Sequence, residues 1–171
     1  MDELFYKKLR EKYKPNRIKC LIIAESPPES EEGRFFYNPE CEKWDYLFKS
    51  IMEVIFGHVK GEKGRYLEKF KDSGFYLIDA VDKPINKKSQ SERNRIIREN
   101  IENKIKEINE LISKDTPIIL IKKNIFEIFY KRLYNRFRVY DKSIPFPSHG
   151  RQKEFKEKFR EALRKFELIV D

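Results

Sequence analysis

Apolar positions along this chain fall into two kinds of run. Short unbroken ones, Ile18 to Ala24, Phe75 to Val81 and Pro117 to Ile121, read as strands covered on both faces, as in a parallel sheet. Arg138 to Ile144 offers a weaker fourth. Longer stretches repeat at helical spacing. An opening helix ends before Lys14-Pro15-Asn16. Asn38-Pro39-Glu40 supplies a cap, a first-turn proline and an early acid ahead of a helix whose Trp44, Leu47, Phe48, Ile51 and Ile55 share one face, closed by Gly57. A shorter helix around Tyr66 to Lys71 stops at Ser73-Gly74. Ser89 and Glu92 form a capping box for a long helix with Ile97, Ile101, Ile105, Ile108 and Ile112 as its buried stripe. Asn124 is placed to cap a helix through about Leu133, and a last helix from near Gly150 buries Phe155, Phe159, Leu163 and Phe166.

Strands alternating with helices predict one α/β domain over residues 1–171: a three-layer α/β/α sandwich around a four-stranded, mostly parallel sheet. In such sheets ligands bind beyond the carboxyl ends of the strands. Three loops are singled out on that ground, Glu25 to Asn38, Asp79 to Asn86 and Pro145 to Arg151.

Composition narrows the partners. The 171 residues hold 38 Lys and Arg against 29 Asp and Glu, a net +9 that favours a polyanion such as DNA; the competing explanation is lysine that only solvates helix faces. Aromatic residues at 14% are too many for a disordered chain, and Lys and Glu in such excess suit a thermophilic source. Cys20 and Cys41 are too few for an iron–sulfur cluster, a four-cysteine zinc site or a disulfide framework, so a reducing compartment and no such cofactor are expected. No apolar run reaches the roughly 18 to 20 residues of a membrane span, and the charged start is no signal peptide. A cytoplasmic monomer is the expectation.

The first loop joins an acid, Glu25, to Ser26, a double proline and the run Phe35-Phe36-Tyr37, a mixture suited to gripping a flat ring. An extruded base needs an aromatic face to stack on and fixed groups to read its edge. The alternative for Phe35 and Phe36 is plain cover for the sheet's end. In the last loop, Ser148, His149 and Arg151 stand at the mouth of a helix, where backbone amides can meet a phosphate. Ser148 is equally suited to an ordinary N-cap, and His149 to an outward first-turn position. Glu25 is the best-placed acid to orient a water; Asp79 and Asp82 joining it around a divalent cation is a further option without a specifying spacing.

Taken in order, the segments LIIAESPP, GRFFYNP, FYLIDAVDKPINK, PIILI and IPFPSHGRQ resemble the uracil-DNA glycosylase superfamily, nearest in pattern to its thermophilic family-4 branch. Ala24-Glu25-Ser26-Pro27-Pro28 stands where that family has Gly-Glu-Ala-Pro-Gly. The resemblance puts Phe36 in the role of the base-stacking aromatic, Asp79 in that of the asparagine that reads the uracil edge, and Phe146-Pro147-Ser148 at the final His-Pro-Ser or His-Pro-Ala motif. It implies a DNA-base glycosylase acting on a damaged or deaminated base. Glu25 and His149 are then the catalytic pair, Phe36, Asp79 and Ser26 the base-binding set, and Ser148, Arg151 and Lys83 the contacts to nucleic acid, with no metal. The departures are specific: His149 follows the Pro-Ser pair, the cluster cysteines of family 4 are missing, and Asp79 has a carboxylate that cannot donate to a uracil carbonyl. The shifted His149 and the substituted Asp79 favour the alternative expectation, a non-catalytic nucleic-acid or nucleotide-binding module.

Overall fold

The computed structural model describes residues 2–41 and 43–169. Four strands, β1 (Cys20–Ala24), β2 (Phe75–Asp79), β3 (Pro117–Leu120) and β4 (Arg138–Val139), lie in the order β2-β1-β3-β4, and every pairing is parallel. Six helices accompany them: α1 (Glu3–Lys12), α2 (Tyr46–Phe56), α3 (Lys63–Asp72), α4 (Gln90–Leu111), α5 (Lys123–Leu133) and α6 (Gln152–Lys165). The result is a three-layer α/β/α fold. Every residue of β1, β2 and β3 is buried, which is why these strands read as unbroken apolar runs instead of alternating ones.

The strand order sends successive crossovers in opposite directions. The chain leaves β1 through α2 and α3 to β2 on one side, then crosses back through α4 to β3 on the other. Right-handed connections in opposite directions put their helices on opposite faces. Accordingly α2 packs against α6, and α4 against α5. Because the connections after β1 and β3 depart to opposite faces, a crevice opens between the carboxyl ends of these strands.

Local chemistry sets the element ends. Gly74 turns the chain into β2 at φ 84°, and a Cβ there would come within 2.7 Å of the Lys19 side chain. Ser89 accepts from the Glu92 amide and caps α4 as its sequence predicts. Ile97, Ile101 and Ile108 are buried along that helix, while Ile105 and Ile112 pack half-buried at the margin. Phe155, Phe159, Leu163 and Phe166 are buried as expected.

Three expectations are corrected. Asn38-Pro39-Glu40 does not start a helix: the Asn38 side-chain oxygen accepts from the Glu40 amide, closing a tight turn, and α2 begins at Tyr46 under an Asp45 cap. Asn124 does not cap α5; the capping position is Lys122, and Asn124 is buried inside the first turn. The fourth strand is only two residues long, because exposed Asp141 and Lys142 interrupt it before a single parallel bridge joins Ile121 to Ile144.

Tyr37 fastens the first loop to the sheet. Its hydroxyl donates to the Leu77 carbonyl and accepts from the Leu77 amide, both at 2.7 Å. No helix among the described residues is long and apolar enough to cross a membrane.

Candidate functional site

The loops after β1 and β2 and the loop preceding α6 meet in a cleft of about 630 Å³ at the carboxyl end of the sheet. Its floor comes from strand ends, Ala24 and Glu25 after β1, Leu77 and Asp79 from β2, with Lys122 at the end of β3. Ala24 and Asp79 are register partners, so Glu25 and Asp79 stand at neighbouring strand ends, offset by one residue. The walls carry Pro27, Phe35, Phe36 and Trp44, and Phe146 overhangs the mouth, 37% exposed.

Phe35 and Phe36 serve the core and the cleft at once. Phe35 is edge-on to Tyr6 at 5.0 Å. Phe36 is 3% exposed and is met edge-on by Tyr37, Phe48 and Phe70. Such edge-to-face contacts lock ring orientation, so a ligand would meet a wall that does not move. Asp45, the α2 cap, lines the same cleft, and burial raises its carboxyl above the ordinary range against the pull of Lys63. Lys63 is itself buried; its ammonium donates to the Phe35 carbonyl at 2.7 Å, and burial lowers its pKa.

Glu25 is saturated with partners. Arg93 Nε lies 3.0 Å from one carboxylate oxygen, and Lys122 Nζ and Asn124 Nδ2 donate to the other at 3.0 and 2.8 Å. Asn124 also donates to Asn94, so this network ties the β1 end to α4 and α5. Lys122 reaches Glu25 from a backbone at φ 86°, ψ 140°, a conformation that residues with a Cβ rarely adopt. Strain of roughly 1–3 kcal/mol kept in this way is common at functional sites.

Asp79 has the opposite environment. It is 3% exposed, and its nearest charge is Arg10 Nη2 at 3.7 Å. Burial pushes its carboxyl up to about 7, although Arg10 pulls the other way. Burial also works against charge on Arg10, but Asp79 and Asp82 outweigh it and raise the guanidinium's pKa, so Arg10 stays charged.

Of the residues singled out by sequence, Glu25, Ser26, Phe36 and Asp79 line the cleft together. His149 does not: it is exposed and outside the lining, because the turn closed by Ser148 N to Phe146 O and Arg151 N to Ser148 O faces it outward. Phe146 enters the cleft in its place. Ser148 is not the α6 cap; Arg151 holds that position without a side-chain cap. Ser148 and Arg151 instead border an adjoining groove of about 440 Å³, which shares Lys122 and Phe146 with the cleft. Lys83 is exposed and lines neither. The charged side chains of the groove are Lys122, Lys123, Arg151 and Lys158, with no carboxylate among them. Arg151 and Lys158 share Glu154, an exposed pairing that an incoming anion can replace at little cost. A cation held jointly by Glu25, Asp79 and Asp82 does not fit, since Arg93 and Lys122 occupy the first acid and Arg10 sits against the other two. Among the described residues no cluster of three or more His, Cys, Asp or Glu is arranged for a metal.

Several of these residues carry a weak sequence signal or none. Arg10 falls on the buried stripe of α1 with Tyr6, and Lys104 on that of α4 with Ile97, Ile101 and Ile108; a cation in an apolar stripe announces a buried partner. Arg93, Lys122 and Phe146 have no such marker. No protein-family model and no curated protein sequence matches the chain.

Proposed function

We propose that this protein binds nucleic acid, seating one unstacked base in the cleft and the adjoining phosphates in the basic groove. The observation that carries the reading is continuity. An aromatic cleft with an acid at its floor runs, through Lys122 and Phe146, into a groove whose charged lining is wholly cationic. Aromatic faces hold bases by stacking, and cations hold phosphates by releasing counterions. The resemblance to the uracil-DNA glycosylase superfamily points the same way, and the outward His149 favours binding over catalysis.

The test uses the chain's single tryptophan, Trp44, which lines the cleft. Adding a short single strand should change Trp44 emission, while anisotropy of a labelled strand follows the groove. Four phosphate contacts at about −0.7 each predict a slope of log affinity against log salt of roughly −3. Replacing Lys123, Arg151 and Lys158 together by alanine should flatten that slope to about −1. Salt-insensitive or absent binding would refute the proposal.

A second reading is hydrolysis of an N-glycosidic bond, favoured by Glu25 at the floor of the same cleft. It predicts alkali-labile abasic sites in DNA containing uracil, hypoxanthine or xanthine, and their loss in Glu25→Ala. Intact strands after long incubation would exclude it.

A further inference from the structure

Asp79 is a buried acid at the floor of the cleft, and among the described residues its carboxylate accepts no hydrogen bond. Its one close charge, Arg10 Nη2 at 3.7 Å, is too far for a hydrogen bond. Arg10 approaches from α1, itself buried, and its Nε and Nη2 make no hydrogen bond. Buried acids are normally hydrogen-bonded as well as charge-paired, as the half-buried Glu25 is one position beyond the end of the neighbouring strand. An acceptor left open inside a ligand-sized cleft is placed to receive donors from the ligand.

The shape of a carboxylate decides which donors. Two oxygens side by side accept from two N–H groups side by side, and neither oxygen can donate. Uracil and hypoxanthine each present a single N–H beside a carbonyl, which would face an ionised oxygen. Adenine and cytosine place a bare ring nitrogen beside the amino group, with the same conflict. Guanine offers its ring N–H and its amino group together. A mismatched edge leaves a buried polar group unpaired, which is how a site rejects it.

Resting on the base-binding reading of the cleft, we infer that Asp79 makes it selective for a heterocycle edge with two adjacent N–H donors, the guanine-type edge, over the lactam edge of uracil. The groups around the carboxyl agree with this. Arg10 from α1 and Lys104 from α4 favour its charge; Asp82 after β2 and Asp45 ahead of α2 oppose it; buried Tyr37 lies nearby. Burial brings the carboxyl up to about 7, so a donor-donor edge would draw off a proton as it binds. Guanine recognition therefore weakens as pH falls below neutrality.

The probe is a short strand of tetrahydrofuran abasic sites with one base at its centre, so that the backbone alone supplies the groove contacts. Affinities are compared for guanine, uracil, hypoxanthine, cytosine and adenine at about pH 8.5 and about pH 6, either side of the carboxyl's titration. Guanine is expected to bind about tenfold tighter than the others at the higher pH, and to lose most of that advantage at the lower. Asp79→Asn, which offers one donor and one acceptor, is expected to prefer uracil or hypoxanthine and to lose the pH dependence. The inference is overturned if uracil or hypoxanthine equals guanine at the higher pH, or if Asp79→Asn keeps the guanine preference. Binding of the strand with no base discrimination overturns it while leaving nucleic-acid binding intact. No binding of any strand removes both.

Discussion

Two acids stand one position apart at neighbouring strand ends, and the fold treats them oppositely. Glu25 receives Arg93, Lys122 and Asn124, whereas Asp79 receives no hydrogen bond among the described residues and has Arg10 only at 3.7 Å. Glu25 therefore behaves as a structural knot that joins β1, α4 and α5. Asp79 is a cost to the folded state, and costs of this kind persist where function needs them. The contrast puts the open acceptor on β2 and the rigid network on β1, although the first loop has the more conspicuous sequence.

The largest expected effect separates the two by pH. A folded-state pKa of about 7 on Asp79 means that the native protein holds a proton which the unfolded chain gives up near pH 4. The contribution of Asp79 to stability must then fall as pH rises from about 4 to about 7, because at this site the native state binds more protons than the unfolded chain throughout that window. Some three units at 1.36 kcal/mol each amount to about 4 kcal/mol. Urea unfolding across the window should show this decline in the wild type and lose it in Asp79→Asn, whatever constant offset the substitution adds. Equal pH profiles would remove the contrast.

Next in size is Glu25→Ala. Stripping the shared acceptor leaves two half-buried cations and the buried Asn124 amide without it, a change that costs on the order of 2 kcal/mol. It should lower the urea midpoint with m unchanged. A loss under about 1 kcal/mol would mean that Glu25 is no knot and free for other work.

The smallest effect tests the strained residue that serves the knot. Alanine normally outranks glycine in stability. At Lys122 the order should invert: both substitutions remove the ion pair, but only glycine relaxes the backbone at φ 86°, by about 1 kcal/mol. Thermal unfolding of Lys122→Gly and Lys122→Ala measures it directly, and the usual order would show that no strain is stored there.

Much of this arrangement is legible in the sequence, and the illegible part has a common cause. Strands β1, β2 and β3 follow from unbroken apolar runs, and the rule that ligands sit beyond strand ends brings Glu25, Phe36 and Asp79 to one place. The partners of Glu25 are another matter: Lys122 and Asn124 lie 97 and 99 positions away, and nothing in their neighbours marks the contact. Local signals also compete with one another. Asn38 carries a good helix-start signature, yet its side chain finds a nearer backbone amide and makes a turn. His149 attracts notice by residue type, but direction is set by the turn around it, which one chain's letters do not reveal.

Tyr37 has a consequence beyond fixing a loop. β2 ends the sheet on one side, and its outer rim would otherwise present unpaired amide and carbonyl groups to any passing chain. One phenol hydroxyl, by filling both valences of Leu77, takes the part of a missing fifth strand at the middle of that rim. The same side chain that steadies the cleft wall thus withdraws the middle of that rim from pairing with a further strand.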